Sequence, residues 1–149
     1  MDVKTTFLNG VVDQEVYIEQ PSGFPIHESE SHVCRLKKAL YGLKQAPSAW
    51  YACIDCFLKI LGFVKNNADS NLYFKVLDGF PVILILYVDN LFLTRNEKLI
   101  AGCTKELSKE FEMKYISLMH YFLGLEVWQR DSEIFLKQGK YTVEILKRF

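Results

Sequence analysis

Asp89 and Asn90 stand directly after residues 81–88, PVILILYV, a run of large apolar side chains. A buried strand holds the residues at its end in one place, which is how a sheet fixes a carboxylate rigidly enough for catalysis. The same pair is also ordinary turn chemistry, because Asp and Asn tolerate left-handed backbone angles. Both readings stand on these residues alone. Cys53 and Cys56 are spaced as a CxxC, but no second pair or suitably spaced His follows, so two small side chains on one helical face is the better reading than a metal or redox site. His27, His32 and His120 have no acid or nucleophile at motif spacing, which leaves a hydrolase triad unsupported. Charge is segregated: from residue 11 to 30 every charge is acidic, while between 31 and 54 the only charges are Arg35, Lys37, Lys38 and Lys44, apart from none of opposite sign before Asp55. Such a basic run is either a phosphate-facing surface or a solvated face.

The elements that must position these residues can be read from periodicity and punctuation. A short strand over 16–19 runs into a polar loop marked by Pro21, Gly23 and Pro25. Pro47 suits a helix's first turn, and Trp50, Ile54, Phe57, Leu58 and Leu61 then recur at helical spacing as far as Gly62. A strand over 72–76, a tight turn at Asp78-Gly79 and a strand over 82–88 buried on both faces come next. Asp89 and Asn90 form the tip of the next turn, and a third strand returns over 91–94. Asn96 caps a helix with Leu99, Cys103, Leu107 and Phe111 on one face. A hairpin of strands 121–128 and 134–137 turns near Arg130, Asp131 and Ser132, and a last helix runs from about Lys140 to the C-terminus. This mixture of hairpins and helices predicts an α+β domain rather than a doubly wound parallel sheet.

The 149 residues suit one domain, 1–149, and 50% hydrophobic content is ample for a core. Equal numbers of basic and acidic residues, 18 each, exclude a charge-driven disordered chain and a wholly basic nucleic-acid binder. No apolar run approaches the roughly 20 residues of a membrane span, and no secretory signal opens the chain. The expected partners include no membrane, and the expected location is intracellular, cytoplasmic or nuclear.

Five blocks run in order along nearly the whole chain: MDVKTTFLNG at 1–10, VYIEQPSGF at 16–24, LKKALYGLKQAPSAWY at 36–51, LYVDN at 86–90 and FEMKYISLMHYFLGLEV at 111–127. Together they resemble the reverse transcriptase of copia-type long-terminal-repeat retrotransposons. The resemblance implies a partial polymerase palm: a mostly antiparallel sheet with hairpins, packed against two or three helices, without fingers or thumb and without the remaining polyprotein regions. It implies an RNA or DNA template with primer and deoxynucleotide triphosphates as partners, and two Mg²⁺ ions as cofactors. Asp2 then matches the first catalytic aspartate and Asp89 the first aspartate of the tyrosine-x-aspartate-aspartate box, these two holding metal. Asn90 stands where the second aspartate is expected. Val3 would offer its carbonyl, Phe7 matches the bulky residue that excludes a ribose 2′-hydroxyl, and Lys44 and Gln45 would contact the nucleotide. Tyr87 would sit against the primer end, and Tyr121, Phe122, Leu123 and Gly124 resemble the hairpin that positions the primer.

The departures from the family pattern carry expectations of their own. Two carboxylates about 4 Å apart repel by roughly 4 kcal/mol at an effective dielectric of 20, so aspartates of such a cluster need cations, and an amide at position 90 weakens metal binding and slows the reaction severely. Ser48, Tyr115 and Ser117 also depart from the usual residues. Asp2 is expected on a fraying terminus beside a partly cationic α-amino group, with an unpaired sheet edge where a leading strand is missing. Three behaviours are open: a residual polymerase, a primer-template binder without turnover, or a fragment dependent on a partner.

Overall fold

In a computed structural model, residues 1–24, 31–94, 97–116, 118–130 and 132–149 are described. Pro25, His27, Glu28, Glu30, Asn96, Ser117 and Asp131 lie outside them, so the expected Asn96 cap and the centre of the last expected turn fall outside the described residues. The described residues form an α+β fold with three helices and antiparallel sheets. They fall into two units, Met1–Lys114 and Tyr115–Phe149.

The first unit is built on the hairpins of β5 (Leu72–Leu77), β6 (Phe80–Tyr87) and β7 (Asn90–Thr94). Its six strands run in the order β4 (Val64–Lys65), β5, β6, β7, β1 (Asp2–Val3) and β8 (Met113–Lys114). One face packs on helices α1 (Ala46–Ile60) and α2 (Glu97–Glu110), and Val82, Leu84, Leu86, Leu91, Ile54, Leu58 and Leu107 close the core. The apolar run of β6 alternates in burial. Val82, Leu84 and Leu86 are buried, whereas Ile83, Ile85 and Tyr87 are exposed on the other face, so the expectation of burial on both faces is corrected. An antiparallel meander is covered on one side only, and continuous hydrophobicity does not by itself say that a second layer exists.

Helix α1 begins with Pro at its first turn and repeats Ala46, Trp50, Ile54 and Leu58 inward every four residues. Gly10 allows the preceding loop to lie on it. A Cβ there would come 2.7 Å from the Trp50 nitrogen and 2.8 Å from the Ala49 carbonyl carbon. On the far side, Trp50 and Phe57 both meet Phe111 edge-on, at 5.3 and 5.2 Å between centroids.

Asp2 does not lie on a fraying end. Strand β1 is paired on both sides, and the Met1 nitrogen donates to the Leu91 carbonyl at 2.9 Å while Leu91 N–H returns a bond of 2.8 Å. Burial pushes the Met1 amine's pKa down, against the opposing pull of Asp2. The expected unpaired edge at this strand is thus replaced by an interior position.

The segregated charges also find each other. Strands β2 (Tyr17–Ile18) and β3 (Cys34–Arg35) pair antiparallel, Arg35 meets Glu15 at 3.1 Å, and Val12 N–H donates to the Lys37 carbonyl. The acidic stretch therefore runs alongside the basic one. All four cysteines are free thiols.

The second unit holds β9 (Tyr121–Phe122), β10 (Leu125–Arg130), β11 (Glu133–Lys137) and α3 (Gly139–Leu146). The single strand expected over 121–128 is broken by a tight turn at Leu123 (φ 48°) and Gly124 (φ 82°), and α3 ends at Leu146, short of the C-terminus. Among this unit's described residues only Val127 is buried. No helix among the described residues is long and apolar enough to cross a membrane.

Candidate active site

The register of the sheet assembles residues far apart in sequence. Tyr87 on β6 pairs with Asn90 on β7, Asn90 pairs with Asp2 on β1, and Asp2 pairs with Lys114 on β8. Cross-strand partners share a face, so Tyr87, Asn90, Asp2 and Lys114 form one row across four strands. Met1 and Val3 point into the core, which turns Asp2 to the opposite, open face. Met1 and Leu91 exchange both backbone bonds, making Asp2 and Asn90 a non-hydrogen-bonded pair, the kind whose side chains stand closest.

Asp89 sits one residue from that row, at the hairpin tip. The tip is Val88-Asp89, with Asn90 already in β7, rather than the expected Asp89-Asn90. Val88 takes φ 53°, a conformation that is costly for a β-branched side chain. Two bonds hold it there: Trp50 Nε1 donates to the Val88 carbonyl at 2.6 Å, and Val3 N–H donates to the Asp89 carbonyl at 2.8 Å. The Asn90 amide donates to Asp89 Oδ1 at 2.7 Å. That bond satisfies one carboxylate oxygen from within the hairpin, something a second carboxylate at position 90 cannot do.

The Val3 carbonyl already accepts a 2.6 Å bond from the Thr6 hydroxyl, which leaves it one further lone pair. Phe7, on the 3-10 turn Thr6–Asn9, stacks edge-on against Tyr41 at 4.9 Å. Phe7 and Tyr87 line a common cavity of about 420 Å³ with Trp50, Tyr51 and Val88. Lys44 and Gln45 line a different cavity of about 400 Å³ with Asp13 and Gln14, and Gln45 donates to Gln14 Oε1 at 3.4 Å. Ser48 borders both cavities. Tyr121, Phe122, Leu123 and Gly124 form the β9–β10 hairpin of the second unit, with Lys140 Nζ 5.1 Å from the Tyr121 ring centroid. Among the described residues no group of three or more His, Cys, Asp or Glu could hold a metal ion.

Sequence reasoning misses Trp50 as the clamp on the tip and Lys114 as the cation in register with Asp2. A buried Trp with its N–H to place is a usable signal for the first. Lys114 carries none, because register between β1 and β8 spans more than a hundred residues.

The chain belongs to the reverse transcriptase (RNA-dependent DNA polymerase) family, whose model matches residues 1–149. It is 42% identical, over 100% of its length, to the retrovirus-related Pol polyprotein from transposon TNT 1-94 of Nicotiana tabacum, and 38% identical over 99% of its length to that from transposon RE2 of Arabidopsis thaliana. A putative transposon Ty5-1 protein of Saccharomyces cerevisiae is 36% identical over 89% of the chain and 43% of its own length. The chain spans 12% and 10% of the two plant polyproteins. No solved structure matches it. These likenesses make it reverse transcriptase sequence of the retrotransposon Pol polyprotein type.

Proposed function

We propose that residues 1–149 are palm sequence of an RNA-directed DNA polymerase and that Asp2 and Asp89 are its metal-holding carboxylates, in a copy whose turnover is weak or lost because position 90 is Asn. The observation that carries this reading is the sheet register, which brings Asp2 beside the Asp89-Asn90 hairpin although they are nearly ninety residues apart. The donor set consists of hard oxygens, as Mg²⁺ requires, and is one carboxylate short of the expected three. A bound divalent ion would activate the primer 3′-hydroxyl and neutralise charge on the leaving pyrophosphate.

The remaining roles fall to the chain itself. Phe7 forms a wall against a ribose 2′-hydroxyl, Lys44 and Gln45 contact the nucleotide, and Tyr87 and the Tyr121–Gly124 hairpin position the primer end. The substrates are deoxynucleotide triphosphates and a primer on an RNA or DNA template. A second reading, binding of primer-template without turnover, is favoured by the Asn90–Asp89 bond, which occupies one Asp89 oxygen without an ion.

Primer extension on an RNA template with Mg²⁺ tests both, comparing the chain with its Asn90→Asp variant. The expected result is extension by the variant at least about a hundredfold faster, the usual scale for one charge-stabilising group. Salt-sensitive binding with no extension by either form supports the second reading. Equal extension by both forms removes Asn90 from the explanation.

A further inference from the structure

Strand β11 is the edge of the three-strand sheet, whose order is β11, β10, β9. All five of its residues are exposed, Ile134 at 69% and Leu136 at 62%. An exposed edge strand presents a row of unpaired N–H and C=O groups that is a template for further strand pairing. The direction of the unpaired groups follows from β10. Val127 N–H donates to the His120 carbonyl at 2.8 Å, on the side away from β11. Val127 and Gln129 therefore face away from β11, and their partners Leu136 and Ile134 direct their own N–H and C=O groups to the open edge.

The sequence of that edge is EIFLK, with opposite charges at its two ends, so it is complementary to itself when reversed. We propose that a second copy of this chain pairs antiparallel with β11 about a twofold axis through Phe135. In that register Ile134 and Leu136 of each copy exchange backbone bonds, and the two Phe135 side chains meet as a non-hydrogen-bonded pair. Glu133 of each copy stands opposite Lys137 of the other. The charges then continue a pattern the hairpin already has. Lys137 lies 3.4 Å from Glu126 and in register with it, and Glu133 is in register with Arg130. A row across the four central strands would read Glu126, Lys137, Glu133, Arg130, alternating in sign at every step. Registers shifted by two residues lose this alternation and set Lys137 or Glu133 opposite Phe135. The contact is isologous and closes at two copies.

Sedimentation of the full chain over a concentration series is expected to show a monomer–dimer equilibrium. Glu133→Lys places two like-charged pairs in the interface, as does Lys137→Glu, and each alone is expected to dimerise at least about tenfold more weakly. Mixed together, the two variants are complementary again and are expected to form a heterodimer of parental strength, a rescue that misfolding does not produce. Leu136→Pro deletes an outward N–H without touching the β10 ladder and is expected to be monomeric with unchanged circular dichroism. A monomeric parent at all concentrations, open-ended aggregates, a mixture that stays monomeric or a dimeric Leu136→Pro each overturns the proposal.

Discussion

Strand β6 ends in a tight turn at both ends, and the two turns are solved differently. At one end Asp78 (φ 50°) and Gly79 (φ 76°) supply the left-handed angles a two-residue hairpin requires from residues suited to them. Space around Gly79 is open, with nothing within 4 Å of where a Cβ would stand. At the other end Val88 takes φ 53° against its own preference and is held by Trp50 on α1 and Val3 on β1. The first turn is local chemistry. The second is imposed from outside, and it is the one that carries Asp89 and Asn90. Backbone strain of about 1–3 kcal/mol persists only where the surroundings over-determine it, so the support of this tip is part of the site.

The largest test of that contrast removes the clamp. Trp50 is 2% exposed and meets Phe111 as well as Val88. Trp50→Ala is expected to cost about 3–5 kcal/mol of stability in urea denaturation. Trp50→Phe keeps most of the packing but leaves the Val88 carbonyl without its donor, for about 1–3 kcal/mol. If Trp50→Phe is silent, packing rather than the hydrogen bond fixes the tip.

Exchanging the turn residues is the next test, and the signs should be opposite. Gly79→Ala forces a side chain into the left-handed region and should destabilise by about 1–2 kcal/mol. Val88→Gly relieves the same conflict, and since Val88 is 52% exposed it loses little burial. A gain of up to about 1 kcal/mol is expected, offset in part by the freer unfolded chain. Loss of stability in both variants would show that Val88 is not strained.

The two turns also differ in how far sequence alone reveals them. Asp78-Gly79 is legible because its cause lies in its own residues. The tip at Val88-Asp89 stands one residue before the expected Asp89-Asn90, because Asp and Asn are the better turn formers and what overrides them is a bond from Trp50, 38 positions away. The same division holds elsewhere. The repeat of Trp50, Ile54 and Leu58 announces α1, whereas the one-sided burial of β6 depends on which layers surround the sheet. Asp89 is visible locally as a carboxylate at the end of an apolar strand, whereas Asp2 stands out only through blocks that resemble a family. Their adjacency comes from the pairing of β1 with β7, which no local pattern encodes.

The smallest expected effect concerns how β5, the other strand of the locally determined turn, is tied to α1. Tyr73 on β5 is fully buried and donates to Asp55 Oδ1 at 2.7 Å, and Lys59 donates to Asp55 Oδ2 at 2.7 Å. Burial pushes the Asp55 carboxyl up, but the bonds from Lys59 and Tyr73 and the charge of Lys65 outweigh it and set its pKa below the ordinary 3.8. A carboxyl lowered on folding stabilises the native state above its unfolded pKa, and that contribution is lost as pH falls through the lower folded value. Asp55→Asn should therefore lower stability in urea at neutral pH, by less than about 1 kcal/mol because the ion pairs are solvent-screened. The gap between variant and parent should close well below pH 3.8. A gap that is constant with pH would assign the effect to the hydrogen-bond geometry of Tyr73 rather than to the charge, and would separate the anchoring of β5 from the electrostatics of the helix that holds the tip.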